Sequence, residues 1–152
     1  MNVQTFLDQM GINYRISAHP TAYTAQDLAA AEHVPGKKVV KPVVVRADGR
    51  FVMCVLPAPY KVDLDELKDQ LEVKDIELVE EPKLQELFPG CDLGAEPPIG
   101  RMFNMETVMD ESVLGDDQVI FQAGSHEEAI TMRLADYRRA AQAEIAHFGR
   151  HI

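Results

Sequence analysis

The sequence predicts a single α/β domain of the α+β type spanning residues 1–152, with a mixed, largely antiparallel, barrel-like β-sheet and peripheral helices. A chain of 152 residues that is 46% hydrophobic fits one domain with one substantial core. Strand-like and helix-like segments alternate along the chain. Several neighbouring strands are joined by links of hairpin length, which favours a mixed or antiparallel sheet over a doubly wound parallel one.

The central hairpin is the clearest structural signal. Apolar, β-branched runs over Val39–Arg46 and Phe51–Leu56 flank Asp48-Gly49, a dipeptide that favours the tight turn of a two-residue hairpin. These runs therefore predict two antiparallel, largely buried strands. Shorter apolar or alternating segments predict further strands over residues 12–16, 76–79, 106–109, 118–122 and 130–134.

Helix boundaries follow from capping residues and from proline and glycine. Thr24 followed by Asp27 is a relative of the capping box, and Gly11 is of the type that often follows a helix end. Asp63 and Pro82 mark the starts of two later helices. The predicted helices cover residues 3–10, 25–32, 64–71, 82–88 and 135–147.

The charge pattern limits the nucleic-acid partners. A formal net charge of −10 argues against holding a duplex by phosphate neutralisation alone, so DNA binding is not predicted. Several basic residues nevertheless lie close together in sequence, and this basic cluster could meet the end of an RNA with one rim of the protein. The alternative is an ordinary solvated charged face. The basic cluster consists of Lys37, Lys38, Lys41, Arg46 and Arg50.

Cysteine and histidine spacing indicates neither a disulfide nor a metal site. Cys54 and Cys91 form no CxxC pair and are predicted to be reduced thiols. The histidines lack the combination of an i,i+4 pair with an acidic neighbour that a zinc helix shows, so no metal is predicted. The chain shows no apolar run of membrane-spanning length and no secretion-signal features at residues 1–10, so a cytoplasmic protein without a membrane partner is expected.

The segment Gly94–Gly100 reads Gly-Ala-Glu-Pro-Pro-Ile-Gly and predicts a shaped loop. Its prolines remove backbone donors and fix φ, while its glycines permit close backbone approach. A stiff loop with fixed N–H and C=O groups suits recognition of a small polar ligand or orientation of a water, because little entropy is lost on binding. On the loop alone, a plain surface turn is the alternative.

Lys41 interrupts the apolar run of the first hairpin strand. If that strand is central, the ammonium must reach a rim or a polar pocket, because an unpaired buried charge is energetically costly. The alternative is an edge-strand lysine that discourages aggregation, and Pro42 supports an edge or strand-start position. The run by itself leaves both interpretations open.

These segments occur in an order that resembles a known family. The resemblance rests on His19-Pro20, Tyr23-Thr24, Lys41 ahead of the hairpin, the Gly94–Gly100 loop and Gly124-Ser125-His126. From about His19 to Tyr137 the chain resembles the YbaK/prolyl-tRNA synthetase-associated editing domain family, which includes free-standing deacylases and the insertion domain of bacterial prolyl-tRNA synthetases. Its most specific features are the single lysine and a G-x-x-x-P loop, which falls on Gly94–Pro98.

The resemblance implies a trans-editing aminoacyl-tRNA deacylase, which hydrolyses the ester between a wrong amino acid and the 3′-terminal ribose of a tRNA. Proteins of this kind use a positioned water, with no metal, no cofactor and no covalent nucleophile. The implied partners are a mischarged tRNA and, as a second partner, an aminoacyl-tRNA synthetase.

The resemblance also implies roles for individual residues. Lys41 contacts the terminal nucleotide or polar groups of the substrate. The backbone between Gly94 and Pro98 carries the rest of the catalysis by holding the aminoacyl group and the water. The loop residues implied to contact the substrate are Ala95, Glu96 and Pro97. Of these, Glu96 could read a substrate amine or simply face water.

Three further residues are candidates for substrate binding. The place of Thr24 before a helix favours a helix cap, and lining of the pocket is the alternative. Ser125 and His126 follow a strand end, where His126 could hydrogen-bond the substrate or a water, or could be an exposed turn residue. Lys38 is the alternative to Lys41, although an odd shift would turn it to the other face of the strand.

Two departures from the family pattern leave functions other than tRNA deacylation open. Pro42 stands where a small hydroxyl residue usually follows the lysine, and Pro97 stands where serine commonly precedes the loop proline. Both remove possible hydrogen bonds, so substrate preference or rate could differ. These departures favour the alternative of a module that keeps the pocket and binds a tRNA, a nucleotide or a protein without turnover. A third interpretation is a hydrolase of small-molecule esters or thioesters.

Overall fold

The computed structural model describes residues 1–152 and contains five α-helices and ten strands. The helices are α1 (Val3–Gln9), α2 (Ala25–Ala31), α3 (Leu64–Leu71), α4 (Glu81–Leu87) and α5 (Leu134–Ala141). The strands are β1 (Arg15–Ala18), β2 (Val40–Ala47), β3 (Arg50–Pro57), β4 (Tyr60–Val62), β5 (Ile76–Leu78), β6 (Glu106–Asp110), β7 (Gln118–Gln122), β8 (Glu128–Arg133), β9 (Glu144–Ala146) and β10 (Gly149–His151). Short 3-10 segments cover Gly36–Lys38, Gly100–Phe103 and Glu111–Gly115.

The largest sheet is built around the predicted hairpin and has the strand order β5-β2-β3-β6-β9. β2 pairs antiparallel with all of β3, whereas β3 with β6 and β6 with β9 are parallel. Asp48 and Gly49 both have positive φ, at 48° and 85°, as a tight hairpin turn of the primed type requires. The prediction of a mixed sheet with a central hairpin is confirmed.

The first half of β2 lies locally at a sheet edge. β5 pairs only with Val45–Ala47, so the residues before Val45 have β3 on one side and no ladder partner on the other. Pro42, which has no N–H to donate, lies in this half. The edge position that Pro42 predicted is confirmed, and it leaves the side of β2 around Lys41 open.

Two further sheets complete the β-structure. β1, β8 and β7 form an antiparallel three-stranded sheet in that order, and β10 pairs with β4. The main hydrophobic core combines side chains of the five-stranded and three-stranded sheets with those of α1 and α5. β3 is buried on both faces, because Met53 and Val55 belong to this core while Cys54 and Leu56 join a second cluster with Leu67 of α3.

The helix caps follow the sequence pattern. Thr24 accepts a hydrogen bond from the Asp27 N–H at 3.0 Å, and Asp63 accepts from the first turn of α3. Gly11 follows α1 with a φ of 68°. No helix in the chain combines the length and the apolarity needed to cross a membrane.

Two structural predictions are wrong. The sheet is not barrel-like, because the strands form three separate sheets and only a single parallel bridge, Val39 with Ile120, joins β7 to the segment entering β2. The helix predicted over residues 135–147 ends at Ala141, where Gln142 adopts a φ of 50°. Glu144–Ala146 then pairs with β6, so a tertiary contact overrides the helical propensity of this segment.

Candidate active site

One large cavity opens beside the free half of β2. It has a volume of about 590 Å³ and is bounded by the start of α2, the strand β2, the helix α4 and the loop before Gly100. Among the residues predicted from the sequence, it is lined by Thr24, Lys41, Gly94 and Glu96. The fold therefore brings together three segments that lie far apart in the chain.

Lys41 combines the two interpretations that its sequence left open. It lies on an edge-like half of β2 opposite Leu56, and it also lines the cavity. Its Nζ donates one hydrogen bond to the Ala58 carbonyl oxygen at 2.8 Å and forms no ion pair, so two of its three N–H donors have no partner in the protein. Burial lowers the pKa of Lys41, because partial removal from water disfavours the charged form.

The loop between Cys91 and Gly100 is held by the turn between β7 and β8. The Gly124 N–H donates to the Ala95 carbonyl at 2.9 Å, and Ala95 N–H donates to Asp92. Gly94 has a φ of +88°, which favours glycine. The backbone N–H groups of Leu93 and Glu96 have no acceptor within the protein, and both residues line the cavity. Two loop residues that line the cavity thus have backbone N–H groups without an acceptor in the protein.

The prolines and the second glycine fix the far end of the loop. Ala95, Pro97 and Pro98 are buried and do not line the main cavity. The Tyr137 hydroxyl donates to the Pro98 carbonyl at 2.5 Å, and burial raises the pKa of Tyr137. A Cβ on Gly100 would lie 2.6 Å from Thr107 Oγ1, so only glycine allows this close approach. These residues therefore hold the loop in place on the side away from the main cavity.

Glu96 is the buried one of two glutamates, with Glu81, that line the cavity. It is 8% exposed, and its Oε1 accepts the Gly94 N–H at 3.1 Å. It also lines an adjoining, mainly apolar cavity of about 210 Å³. The two cavities share Pro42, Leu84 and Glu96. Glu96 therefore belongs to the walls of both cavities.

His126 and Ser125 occupy other positions than the cavity wall. The His126 ring is buried, and its two nitrogens lie 3.0 Å from the Ala22 carbonyl oxygen and 2.8 Å from that of Leu93. Both contacts are hydrogen bonds only when both ring nitrogens carry protons. The ring thus links the segment before α2 to the loop. Ser125 lines a separate cavity of about 380 Å³ with Pro97 and Cys91.

Gln122, the last residue of β7, lines the cavity but carries no signal in the sequence. Its side chain is buried, with Nε2 donating to the Ala22 carbonyl oxygen at 2.7 Å. Leu84 and Leu93 also line the cavity and were not predicted. The one sequence feature that could have indicated Gln122 is its position two residues before the Gly124-Ser125-His126 motif.

The basic cluster does not form an unneutralised face. Three of its members pair with carboxylates, namely Lys38 with Asp116 at 4.0 Å, Arg46 with Glu77 at 3.2 Å and Arg50 with Glu106 at 3.0 Å. Lys38, the alternative to Lys41, does not line the cavity. Lys41 is therefore the basic residue of the cluster that the cavity uses.

The cavity offers a defined set of polar groups. Lys41, the carboxylate residues Glu81 and Glu96, the buried amide residue Gln122 and two residues whose backbone N–H groups have no acceptor in the protein line it, together with apolar side chains. No group of three His, Cys, Asp or Glu side chains is arranged to hold a metal ion anywhere in the chain. Donors gathered around a space of this size can orient a small polar group and stabilise negative charge that develops on it.

Comparisons of sequence assign the chain to a family. The profile described as aminoacyl-tRNA editing domain matches residues 19–140. The chain is 26% identical over 149 residues to the multifunctional Ser/Thr-tRNA deacylase ProXp-y of Escherichia coli (strain K12), covering 95% of this chain and 89% of that protein. It is 24% identical over 143 residues to the prolyl-tRNA editing protein ProX of Acetoanaerobium sticklandii, covering 90% and 87%.

The fold agrees with this assignment. A crystal structure described as that of a proposed trans-editing enzyme for prolyl tRNA synthetase superimposes with a TM-score of 0.86 at 20% identity, covering 97% of this chain and 94% of that one. The profile match contains Lys41, the Gly94–Gly100 loop and His126, which are the features that carried the resemblance in the sequence. The chain therefore belongs to the aminoacyl-tRNA editing domain family.

Proposed function

We propose that the protein acts in trans as a deacylase of mischarged tRNA, using a positioned water and neither a metal nor a covalent nucleophile. As a member of the editing family it is a hydrolase of the aminoacyl-tRNA ester bond. The observation that carries the proposal is that Lys41, Gly94 and Glu96, which are distant in sequence, line one cavity.

The polar groups of the cavity suit ester hydrolysis. An aminoacyl ester is already activated, so orienting a water and stabilising the developing oxyanion are sufficient, and no strong general base is required. The Lys41 ammonium has two unused N–H donors, and the Leu93 and Glu96 amides are further candidates for the oxyanion. Because Lys41 is partly desolvated, its interaction with negative charge is stronger than it would be in open water.

The substrate end of the tRNA is the part that the cavity can accommodate. A net charge of −10 and the pairing of Lys38, Arg46 and Arg50 with carboxylates leave little basic surface for broad contact with the tRNA body. The terminal nucleotide and its aminoacyl group therefore supply the specific contacts. An aminoacyl-tRNA synthetase is the second partner in this proposal, supported by the 28% identity over 109 residues to a proline–tRNA ligase of Leuconostoc citreum, which covers 72% of this chain and 19% of the ligase.

The test is hydrolysis of a panel of mischarged tRNAs, beginning with alanine, cysteine and serine. Replacing Lys41 by alanine removes the cation of the cavity, and the deacylation rate is expected to fall about a hundredfold, since one electrostatic donor to an oxyanion is typically worth that much. Lys38→Ala is the matched control, because it removes an equal charge three residues away outside the cavity. Its rate is expected to stay within about twofold of the wild type, as for a surface ion pair.

Three outcomes would contradict the proposal. Unchanged turnover in Lys41→Ala would show that the Lys41 ammonium does not contribute to ester hydrolysis. Protection of the ester by the wild-type protein, instead of cleavage, would favour the binding module. Equally efficient cleavage of aminoacyl esters that lack tRNA would favour a small-molecule esterase.

A further inference from the structure

The adjoining cavity of about 210 Å³, here called the apolar cavity, has a wall that the protein leaves uncovered. The wall includes Val43 and Val44 of the free half of β2, the end of β5 and Leu84 of α4. Glu96 carries its one polar side chain. Leu78 lines this cavity and is still 55% exposed, so part of the apolar wall is in contact with water. An apolar group bound there would remove this surface from water, which is favourable.

The apolar cavity begins beside the polar groups of the main cavity. The two cavities have Pro42, Leu84 and Glu96 in common. In an aminoacyl ester, the ester carbonyl, the α-ammonium group and the side chain are all attached to one carbon atom. In the proposed function Lys41 donates to the ester oxygen, and the Glu96 carboxylate suits the α-ammonium group because their charges are opposite. A substrate held by Lys41 and Glu96 therefore has its side chain beside the wall that the two cavities share.

The volume of the apolar cavity indicates the size of the group that it accepts. One water molecule takes about 30 Å³ of liquid volume, so the cavity corresponds to about seven water molecules. The single methyl group of alanine would leave most of this space unfilled. A side chain of four carbon or sulfur atoms, as in leucine or methionine, fills more of the space and covers more of the apolar wall.

We infer that the apolar cavity binds the side chain of the aminoacyl group, so that the protein prefers tRNAs charged with a larger apolar amino acid, such as leucine or methionine, over those charged with alanine. This inference rests on the proposed function and names the substrate class of the same site. One methylene group bound in an apolar pocket typically changes kcat/KM by about 10- to 200-fold.

The first test varies the substrate and leaves the protein unchanged. One tRNA is charged with alanine, with 2-aminobutyrate and with leucine, which lengthens the apolar side chain in steps. The kcat/KM of the wild-type protein is expected to rise in this order, with the leucyl ester at least about tenfold above the alanyl ester. Equal values, or a higher value for the alanyl ester, would overturn the inference.

The second test fills the apolar cavity. Val79 lines this cavity and not the main one, so Val79→Phe reduces the space for the side chain without replacing Lys41 or Glu96. The ratio of kcat/KM for the leucyl over the alanyl ester is expected to fall at least about tenfold. Val62→Phe is the matched control, because Val62 is also half-buried against a hydrophobic cluster but lines neither cavity. An unchanged ratio in Val79→Phe would overturn the inference.

A third test uses an exposed residue, whose replacement is compatible with folding. Leu78→Asp places a carboxylate in the apolar wall and should lower the same ratio about tenfold, since an apolar side chain gains less beside a charge. Ile145→Asp is its control, because Ile145 is an exposed residue on the other edge strand of the same sheet and lines neither cavity. The same ratio in Leu78→Asp and Ile145→Asp would contradict binding of the side chain in this cavity.

Failure of the inference and failure of the proposed function give different results. Should the wild-type protein cleave alanyl or seryl esters of tRNA at least as fast as the leucyl ester, while Lys41→Ala cleaves none of them, the deacylase remains and the role of the apolar cavity is lost. Should the wild-type protein cleave none of the charged tRNAs, the deacylase itself is contradicted.

Discussion

Two buried polar regions of this protein differ in how completely their hydrogen bonds are used. Asp110, at the end of β6, is 2% exposed, and both carboxylate oxygens are occupied. Oδ1 accepts from the N–H groups of Phe148 and Gly149 at 2.8 and 2.6 Å, and Oδ2 accepts from the N–H and hydroxyl of Ser112. Among the residues that line the cavity, by contrast, Gln122 Oε1 and the backbone N–H groups of Leu93 and Glu96 have no hydrogen-bond partner in the protein.

The comparison separates polar groups whose hydrogen bonds are complete within the protein from polar groups whose hydrogen bonds are not. Desolvation alone would raise the pKa of Asp110, but the hydrogen bonds from Ser112, Phe148 and Gly149 outweigh it and hold this pKa below its usual value. For Lys41, only desolvation acts, and it lowers the pKa. The Asp110 region stabilises its charge within the protein, whereas the Lys41 ammonium at the cavity keeps two N–H donors without a partner in the protein.

Removing Asp110 should therefore cost the most stability. Asp110→Ala leaves buried donors of Phe148 and Gly149 without an acceptor, and we expect the free energy of unfolding to fall by about 3 kcal/mol. Lys41→Ala should change it by less than about 1 kcal/mol, because Lys41 is only half-buried and makes one hydrogen bond. Urea denaturation of both variants measures the difference. A similar loss of unfolding free energy in both variants would contradict the proposed difference between the two regions.

The pH dependence of stability sharpens the same comparison. Because the pKa of Asp110 is lower in the folded protein than its unfolded value of about 4, its contribution is complete above that pH and is lost as the pH falls through the folded value. Asp110→Asn has no such group to titrate. Its free energy of unfolding should therefore fall less steeply than that of the wild type below about pH 4. Parallel curves would contradict the assignment.

The sequence predicted the secondary structure and its caps better than it predicted which residues line the cavity. The hairpin at Asp48-Gly49, the caps at Thr24 and Asp63 and the edge position of Pro42 each depend on short-range chemistry, and each is confirmed. The helix over residues 135–147 was wrong because β9 forms through pairing with a distant strand. Propensity, which is local, carries no information about such a contact.

The same physical reason limits the prediction of the site. Lys41 and the Gly94–Gly100 loop were identifiable because a charge in an apolar run and a Gly/Pro-rich segment are unusual in themselves. Gln122 ends an ordinary strand, and only the folded chain shows that it lines the cavity. The role of His126 as a link between the Ala22 and Leu93 carbonyl groups likewise depends on three segments meeting in space.

Alanine substitutions at two glycines, one beside Asp110 and one in the cavity loop, test the difference between the two regions and should have intermediate effects on stability. A Cβ on Gly149 would lie 2.6 Å from Asp110 Oδ2, which is held by hydrogen bonds and cannot move away, so Gly149→Ala should cost about 2 kcal/mol of unfolding free energy. At Gly94 the nearest atoms are 3.6 Å away, and only the φ of +88° opposes alanine, at about 1 kcal/mol.

Activity should show the opposite order. Gly94→Ala shifts the backbone beside the free amides and is expected to lower kcat/KM for a mischarged tRNA about tenfold, since misplaced groups lose much of their effect. Gly149→Ala, measured where it is fully folded, should retain wild-type kcat/KM. A loss of activity in Gly149→Ala without loss of folded protein would mean that the two regions are coupled.

The smallest expected effect concerns two helix caps. Thr24 caps α2 at the cavity, and Asp63 caps α3 away from it. Thr24→Ala and Asp63→Ala should each lower the free energy of unfolding by about 1 kcal/mol, the usual value of a cap. The Thr24 hydroxyl accepts from Asp27 but its own proton is uncommitted, so a contact with substrate would add a loss of about threefold in kcat/KM in Thr24→Ala alone. The two variants are expected to lose similar stability, and they differ in that only Thr24 lines the cavity. Equal activity in both would therefore mean that Thr24 is a helix cap and does not contact the substrate.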